Sequence, residues 1–242
     1  MTEPLRIDIW SDIACPWCYV GKRRLESALA RFRAQRSDAQ IELTWHSFQL
    51  DPSAPRTLPA ESCYAERLGR KYGVSPAQGQ AMVENMVRTA AGDGIAMDFE
   101  RIRPGNTFDA HRLLHWAHTR GQQDALKERF LRAYLCEGQP IGEPEALVRL
   151  AEDVGLNVDE AQDIVSGDAF AREVRADIQA ARELGISGVP FFVFARRYGV
   201  SGAQAPDTLL GVLEKTWAER APVQLVAEGE VCGPDGCNPP AS

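Results

Sequence analysis

Two cysteines, Cys15 and Cys18, stand where a strand-like stretch gives way to a helical one. Ahead of them, Leu5, Ile7 and Ile9 alternate with polar positions, the period of a half-buried strand. Behind them, Val20, Leu25, Ala28, Leu29 and Phe32 recur at helical spacing, and Pro16 suits a first helical turn. In a helix, residues three apart have Cα atoms about 5 Å from each other. A disulfide needs about 4.4–6.8 Å, so Cys15 and Cys18 can close a bond without backbone movement. The macrodipole at a helix N-terminus favours a thiolate, and such sites bring a thiol from near 8.5 to about 3.5–7.5. Cys15, at the exposed start of the turn, is expected to be the nucleophile. Cys18, one turn deeper, is expected to resolve the mixed disulfide. The run Lys22-Arg23-Arg24 is expected to add attraction screened by water. The same cysteine spacing also occurs as half of a zinc site. The flanking strand and helix, with Pro16-Trp17 between the thiols, favour redox chemistry.

Residues 11–21, SDIACPWCYVG, resemble the active-site segment of DsbA-like thioredoxin-fold oxidoreductases, most closely the FrnE-like branch. Residues 188–193, GVPFFV, resemble the proline segment of the same family. The likeness runs from about residue 5 to residue 218. It implies an α/β, thioredoxin-like fold with a large inserted all-helical domain, and thiol–disulfide chemistry. It also implies a cis Val189–Pro190 bond facing Cys15, with the Val189 backbone free to pair with an extended substrate. Pro16 and Trp17 join Val189 and Pro190 as expected substrate contacts. Residues 106–114 resemble a segment of the FrnE and isomerase branches whose preceding loop faces the cleft, so Asn106 is carried over as a cleft residue. Kappa-type glutathione transferases and hydroxychromene carboxylate isomerases are neighbouring branches. As a rule they carry serine where this chain has Cys15.

Composition narrows the partners. The 242 residues are 44% hydrophobic and 25% charged, with a formal net charge of −7, which disfavours a general nucleic-acid binder. The basic stretch from Lys22 to Arg36 interleaves with an apolar stripe and reads as a solvated helix face. No apolar run suffices to span a membrane, and Met1–Arg6 lacks the apolar core of a signal peptide. A cytoplasmic setting is therefore expected, where stable structural disulfides are rare. No cofactor and no metal are expected. The expected partners are protein thiols and disulfides, with small thiols such as glutathione as further candidates.

Along the chain, Ile41–Phe48 reads as a second strand, with Trp45 on one face and His46 on the other. The proline-rich segment Asp51–Pro59 ends the first thioredoxin half. Helices are expected at about 60–72, 76–92, 107–120, 122–137, 143–154, 158–166 and 168–184. A hairpin turning at Arg196-Arg197 and a helix from Pro206 to Glu219 then complete the unit. The expected division is a thioredoxin-like domain of residues 1–50 and 185–220, a helical insert of 51–184 whose last helix rejoins that unit, and a tail of 221–242. His46 reads as structural. His111, His115 and His118 share a helix face and read as solvated or core histidines rather than a metal site, and Cys63 and Cys136 as inert thiols.

The tail carries a second pair, Cys232 and Cys237, around the turn sequence Gly233-Pro234-Asp235-Gly236. The leading reading is a protein thiol–disulfide oxidoreductase or isomerase working through Cys15 and Cys18, with Cys232 and Cys237 as a second redox pair. Two alternatives stay open: a zinc protein using all four thiols, and a glutathione-dependent isomerase or transferase.

Overall fold

The computed structural model describes residues 4–56 and 63–220, and the backbone of 231–233 and 236–238. Strand β1 (Leu5–Ser11) leads into helix α1 (Pro16–Gln35), and β2 (Ile41–Ser47) returns parallel to β1. Strands β3 (Phe191–Phe194) and β4 (Tyr198–Ser201) extend the sheet antiparallel, giving the order β2-β1-β3-β4. Between β2 and β3 come α2 (Tyr64–Tyr72), α3 (Pro76–Gly92), α4 (Phe108–Thr119), α5 (Gln123–Glu137), α6 (Pro144–Glu152), α7 (Val158–Ser166) and α8 (Ala171–Glu183). Helix α9 (Pro206–Ala218) packs along α1. This is the α/β thioredoxin-like architecture with a helical insertion.

Local chemistry accounts for the boundaries. Ser75 and Gln78 form a reciprocal capping box at the start of α3, and Pro76 fills its first turn. Gly73 and Gly138 end α2 and α5 in the left-handed conformation, at φ 66° and 67°. Helix α2 begins at Tyr64 rather than residue 60; residues 57–62 lie outside the described set. The β3–β4 turn centres on Ala195 and Arg196, both at positive φ, one residue earlier than expected. The twist of a hairpin favours paired left-handed residues, and here it overrides their side-chain preference.

Two apolar clusters meet at α1. Ile7 and Ile9, Leu25 and Phe32, Phe192 and Leu213 fill the core between sheet and helices. Ile13, Tyr19 and Val20, from the same strand–helix turn and first helical turn, belong instead to the core of the helical insert, with Leu113, Phe130 and Tyr134. The start of α1 is thus embedded in the insert.

Arg31, Arg33 and Arg36 lie on the expected solvated face, but Lys22, Arg23 and Arg24 depart from it. Lys22 is only 3% exposed, with Nζ against Glu26, Asp124 and Glu128, while Arg23 binds Glu26 and Glu128. Arg24 reaches Asp93 and the Ala203 carbonyl. Glu26 is one turn along α1, but the other partners lie far away in sequence, on α5, at the end of α3 and between β4 and α9. Gln123, at the start of α5, also accepts from the Trp45 N–H and donates to the Trp45 carbonyl, satisfying the outer edge of β2.

On the opposite face of the sheet, His46 stacks on Trp10 at 4.5 Å and lies between two carboxylates. Nδ1 is 2.7 Å from Asp177 of α8 and Nε2 is 2.8 Å from Asp8. With both ring nitrogens donating, the ring is an imidazolium. Burial alone would lower its pKa, but the two carboxylates outweigh burial and raise it to about 9. Asp177 also accepts from the Ser47 N–H and meets His115 of α4, so this cluster ties α4 and α8 to the sheet.

The sign of the pH effect follows from the raised value. The stabilisation is complete below about pH 6.5 and is lost as pH rises through about 9. Urea unfolding should show stability falling by on the order of 2 kcal/mol across that interval. His46→Gln should be less stable at neutral pH and should flatten the decline. Parallel curves for the two proteins would contradict this account of the clasp.

Candidate active site

The Cys15-Pro16-Trp17-Cys18 turn sits where β1 delivers the chain to α1. Cys15 is the N-cap residue, with φ −95° and ψ 109°, and Pro16 occupies the first turn. The Cys18 N–H donates to the Cys15 carbonyl at 3.0 Å. Both cysteines are free thiols, Cys15 4% exposed and Cys18 fully buried.

The Val189–Pro190 bond is cis, and the Cys15 thiol lies 3.5 Å from the Val189 carbonyl. Pro190 itself is buried behind that carbonyl against α1. Gly21 permits the approach: a Cβ there would stand 2.9 Å from Pro190 Cγ and 3.2 Å from Phe192 Cζ.

Beneath the thiols lies a polar group that the periodicity conceals. Asp12, a buried residue, accepts from the Leu50 N–H at 2.8 Å and meets His111 Nε2 at 3.3 Å. Burial would raise the Asp12 carboxyl, but His111 and the Leu50 N–H hold it below its ordinary value. Burial lowers His111 more than Asp12 raises it, so the pair is a carboxylate facing a neutral imidazole. Lys127 comes from the middle of α5 and is fully buried. Its Nζ has no hydrogen-bond partner among the described residues and lies 5.5 Å from the centre of the Trp45 ring. Burial lowers its pKa to about 8, against the upward pull of Cys18, Asp12 and Cys15. The signal for it in the sequence is a charge set among Gln123, Leu131 and Tyr134 at helical spacing, within the apolar stripe of α5.

Burial opposes ionisation of both thiols. At Cys18 it is outweighed by the Cys15 thiol, the Lys127 ammonium and the otherwise unpartnered Ser11 hydroxyl, and the value falls. At Cys15, burial and the charge on Cys18 push the value well above that of a free thiol. One negative charge on the pair is favoured and a second is opposed. Cys15 caps the helix and is the sulfur at the opening, while Lys127 and the Ser11 hydroxyl act on Cys18 behind it.

That opening is a cleft of about 1080 Å³ between the two parts of the fold. Cys15, Pro16, Trp17 and Val189 line it, together with Tyr64 and Phe99 from the insert. Asn106 does not. It lies by a smaller recess next to Arg56 and Asp109. Its Nδ2 donates to the Pro52 and Ala54 carbonyls, and its Oδ1 accepts from the Phe108 N–H and from Gln49. Asn106 shapes the cleft by holding the wall that follows β2. His111 and His115 bind separate carboxylates and His118 is exposed. Among the described residues no cluster of three or more His, Cys, Asp or Glu side chains is arranged to hold a metal. In the tail, β5 (Val231–Gly233) pairs antiparallel with β6 (Gly236–Asn238), with Cys232 opposite Cys237. The side chains of these two cysteines lie outside the described residues.

A dithiol at a helix start, beside a cis-proline loop leading into an antiparallel strand, defines a thioredoxin-fold oxidoreductase. The profile of the DSBA-like thioredoxin domain matches residues 6–214, and the chain belongs to that family. The crystal structure of a probable DsbA oxidoreductase from Streptomyces coelicolor is 43% identical, with a TM-score of 0.82, covering 98% of this chain and 100% of the other. The uncharacterized protein YwbO of Bacillus subtilis is 25% identical over 205 residues, 84% of this chain and 92% of that protein. The cytosolic disulfide reductase DsbM of Pseudomonas aeruginosa, solved with GSH, shares the fold at 20% identity and a TM-score of 0.59, covering 88% of this chain and 100% of the other.

Gly21→Ala should push Pro190 off its seat on α1. Overpacking of this kind costs about 1–3 kcal/mol, measurable by urea unfolding, and thiol exchange should slow with it. A variant as stable and as fast as the wild type would contradict the role given to this contact.

Proposed function

We propose that this oxidoreductase exchanges disulfides with protein substrates, with Cys15 attacking and Cys18 resolving. The observation that carries the reading is the placement of the sulfurs: Cys15 lines the cleft and Cys18 is sealed beneath it. The pair gives up one proton, and Cys15, the sulfur at the cleft, reacts as the thiolate while Cys18 holds the remaining proton. Cys15 thiolate bonds to one substrate sulfur, and the other leaves as a thiolate and is protonated. Cys18 then loses its proton, with Lys127 beside it to stabilise the charge, and attacks the Cys15 sulfur. The remaining substrate sulfur leaves and is protonated. The substrate has gained two electrons and Cys15–Cys18 is a disulfide. The reverse sequence oxidises a substrate dithiol, and the reduction potential sets the direction. In this reading the chain works in the cytoplasm, among thiols kept reduced.

The tail is the second part of the proposal. Directly opposed residues of an antiparallel pair have Cα atoms about 4.5–5.5 Å apart, within the span of a disulfide. The register of Cys232 on Cys237 therefore suits a second redox pair that exchanges with the first.

Insulin reduction driven by dithiothreitol should be accelerated by the wild type and not by Cys15→Ser. Cys18→Ser should accumulate mixed disulfides at Cys15, identified by non-reducing mass spectrometry, including an intrachain link to Cys232 or Cys237. A Cys15→Ser protein that retains activity would refute the assignment. Absence of the intrachain link, with tail deletion leaving the exchange rate unchanged, would remove the relay alone.

A further inference from the structure

The cleft beside Cys15 has a chemical bias that disulfide exchange does not require. Among the described residues, six large hydrophobic side chains stand exposed, and four of them, Trp17, Leu50, Tyr72 and Met82, line this one cleft. Exposed apolar side chains gathered in this way mark a surface that binds another molecule. The charge runs against the rest of the molecule. The chain is at −7, yet the cleft is lined by three cations, Arg67, Arg70 and Lys71, against one carboxylate, Asp51. All three cations lie on α2, and none has an acidic partner among the described residues. Arg67 lies over the ring of Tyr64 at 5.2 Å and Lys71 over that of Tyr72 at 5.9 Å, so each charge is held against an apolar wall.

The order along α2 sets a spacing. Tyr64 is the end near the thiol, close enough for charge on Cys15 to raise its hydroxyl pKa, after burial. From Tyr64 to Arg67 and on to Lys71 the helix rises about 4.5 and 10.5 Å. An extended peptide advances about 3.3 Å per residue. Side chains about one to three residues from a cysteine bound at Cys15 therefore come level with the cations.

We propose that this cleft selects disulfides set in acidic, apolar segments of substrate proteins, with α2 as the element that reads the charge. The proposal rests on the exchange reaction above and adds its substrate class. A protein segment rather than a small acidic thiol is the occupant, because the cleft lies at the upper end of the range for small-ligand sites and its apolar ring is open to solvent.

The test measures single exchanges with the Cys18→Ser protein. Symmetrical disulfides of short cysteine peptides are used, with Glu, Gln or Lys one to three residues from the cysteine. Cys15 thiolate bonds to one peptide sulfur and the other peptide leaves as a thiol, with no net change in oxidation. Each rate is divided by that of the same disulfide with dithiothreitol. The Glu peptide should outrun the Lys peptide by about tenfold at low salt, and the gap should narrow as salt rises. With Arg67→Ser, Arg70→Ser and Lys71→Ser combined, the gap should close to about twofold, and the Lys peptide should react faster than before, which also shows the variant folded. Equal rates in the parent protein, or a preference that survives the triple substitution, would overturn the proposal. So would glutathione disulfide reacting as fast as the Glu peptide, which would make the cleft a small-thiol site. Failure of every disulfide to react would instead remove the exchange reading, and the substrate class with it.

Discussion

A lysine ammonium buried in the protein interior beneath two thiols is the constraint on which the rest of the site depends. Burying an unpaired ammonium costs several kcal/mol, and Lys127 has no hydrogen bond to offset it. What offsets it is charge: the Asp12 carboxylate and one thiolate on the Cys15–Cys18 pair, each of which raises the lysine's affinity for its proton. The relation is mutual, since the ammonium lowers the Cys18 thiol. Reduced pair, carboxylate and lysine make one coupled group, with two negative charges about one positive. Bonding the two sulfurs to each other removes the thiolate from it and leaves the Asp12 carboxylate as the counter-charge to Lys127 in the group.

This group needs both parts of the fold. Asp12 and the cysteines come from the β1–α1 turn, while Lys127 comes from α5 of the insert. The contacts that hold α5 in place are correspondingly specific. Lys22 and Arg23 of α1 bind Glu128, Trp45 donates its indole N–H to Asp124, and Gln123 pairs with the backbone of β2. The outer wall of the cleft is fixed by close packing. The Arg56 carbonyl passes so near Gly105 and Gly142 that a Cβ at either would fall 2.3 or 1.8 Å from it, and Asn106 ties the preceding loop beside this crossing.

The thioredoxin unit was legible because its signals are local: alternation in β1 and β2, the apolar stripes of α1 and α9, and Pro16 and Pro206 at helix starts. The cysteine pair was legible for the same reason. What local pattern concealed was every role set by a distant partner. Lys22 reads as a solvated charge until Asp124 and Glu128 come beside it. Lys127 reads as one charge on an ordinary helix until α5 docks under Cys18. Asn106 sits next to the cleft, but its four hydrogen bonds turn it to holding a loop. The three cations of α2 acquire meaning only when the helix is seen to wall the cleft. His46 is the converse case, a structural histidine by pattern whose two carboxylates come from β1 and α8.

The central claim is that the inserted helix α5 helps to set the acidity of the thiol pair through Lys127. The direct measurement is the ultraviolet absorbance of the thiolate as a function of pH, in the wild type and in Lys127→Met, which keeps the volume and removes the charge. The account predicts that the first ionisation moves to higher pH in Lys127→Met. A midpoint that stays in place or moves to lower pH would contradict it.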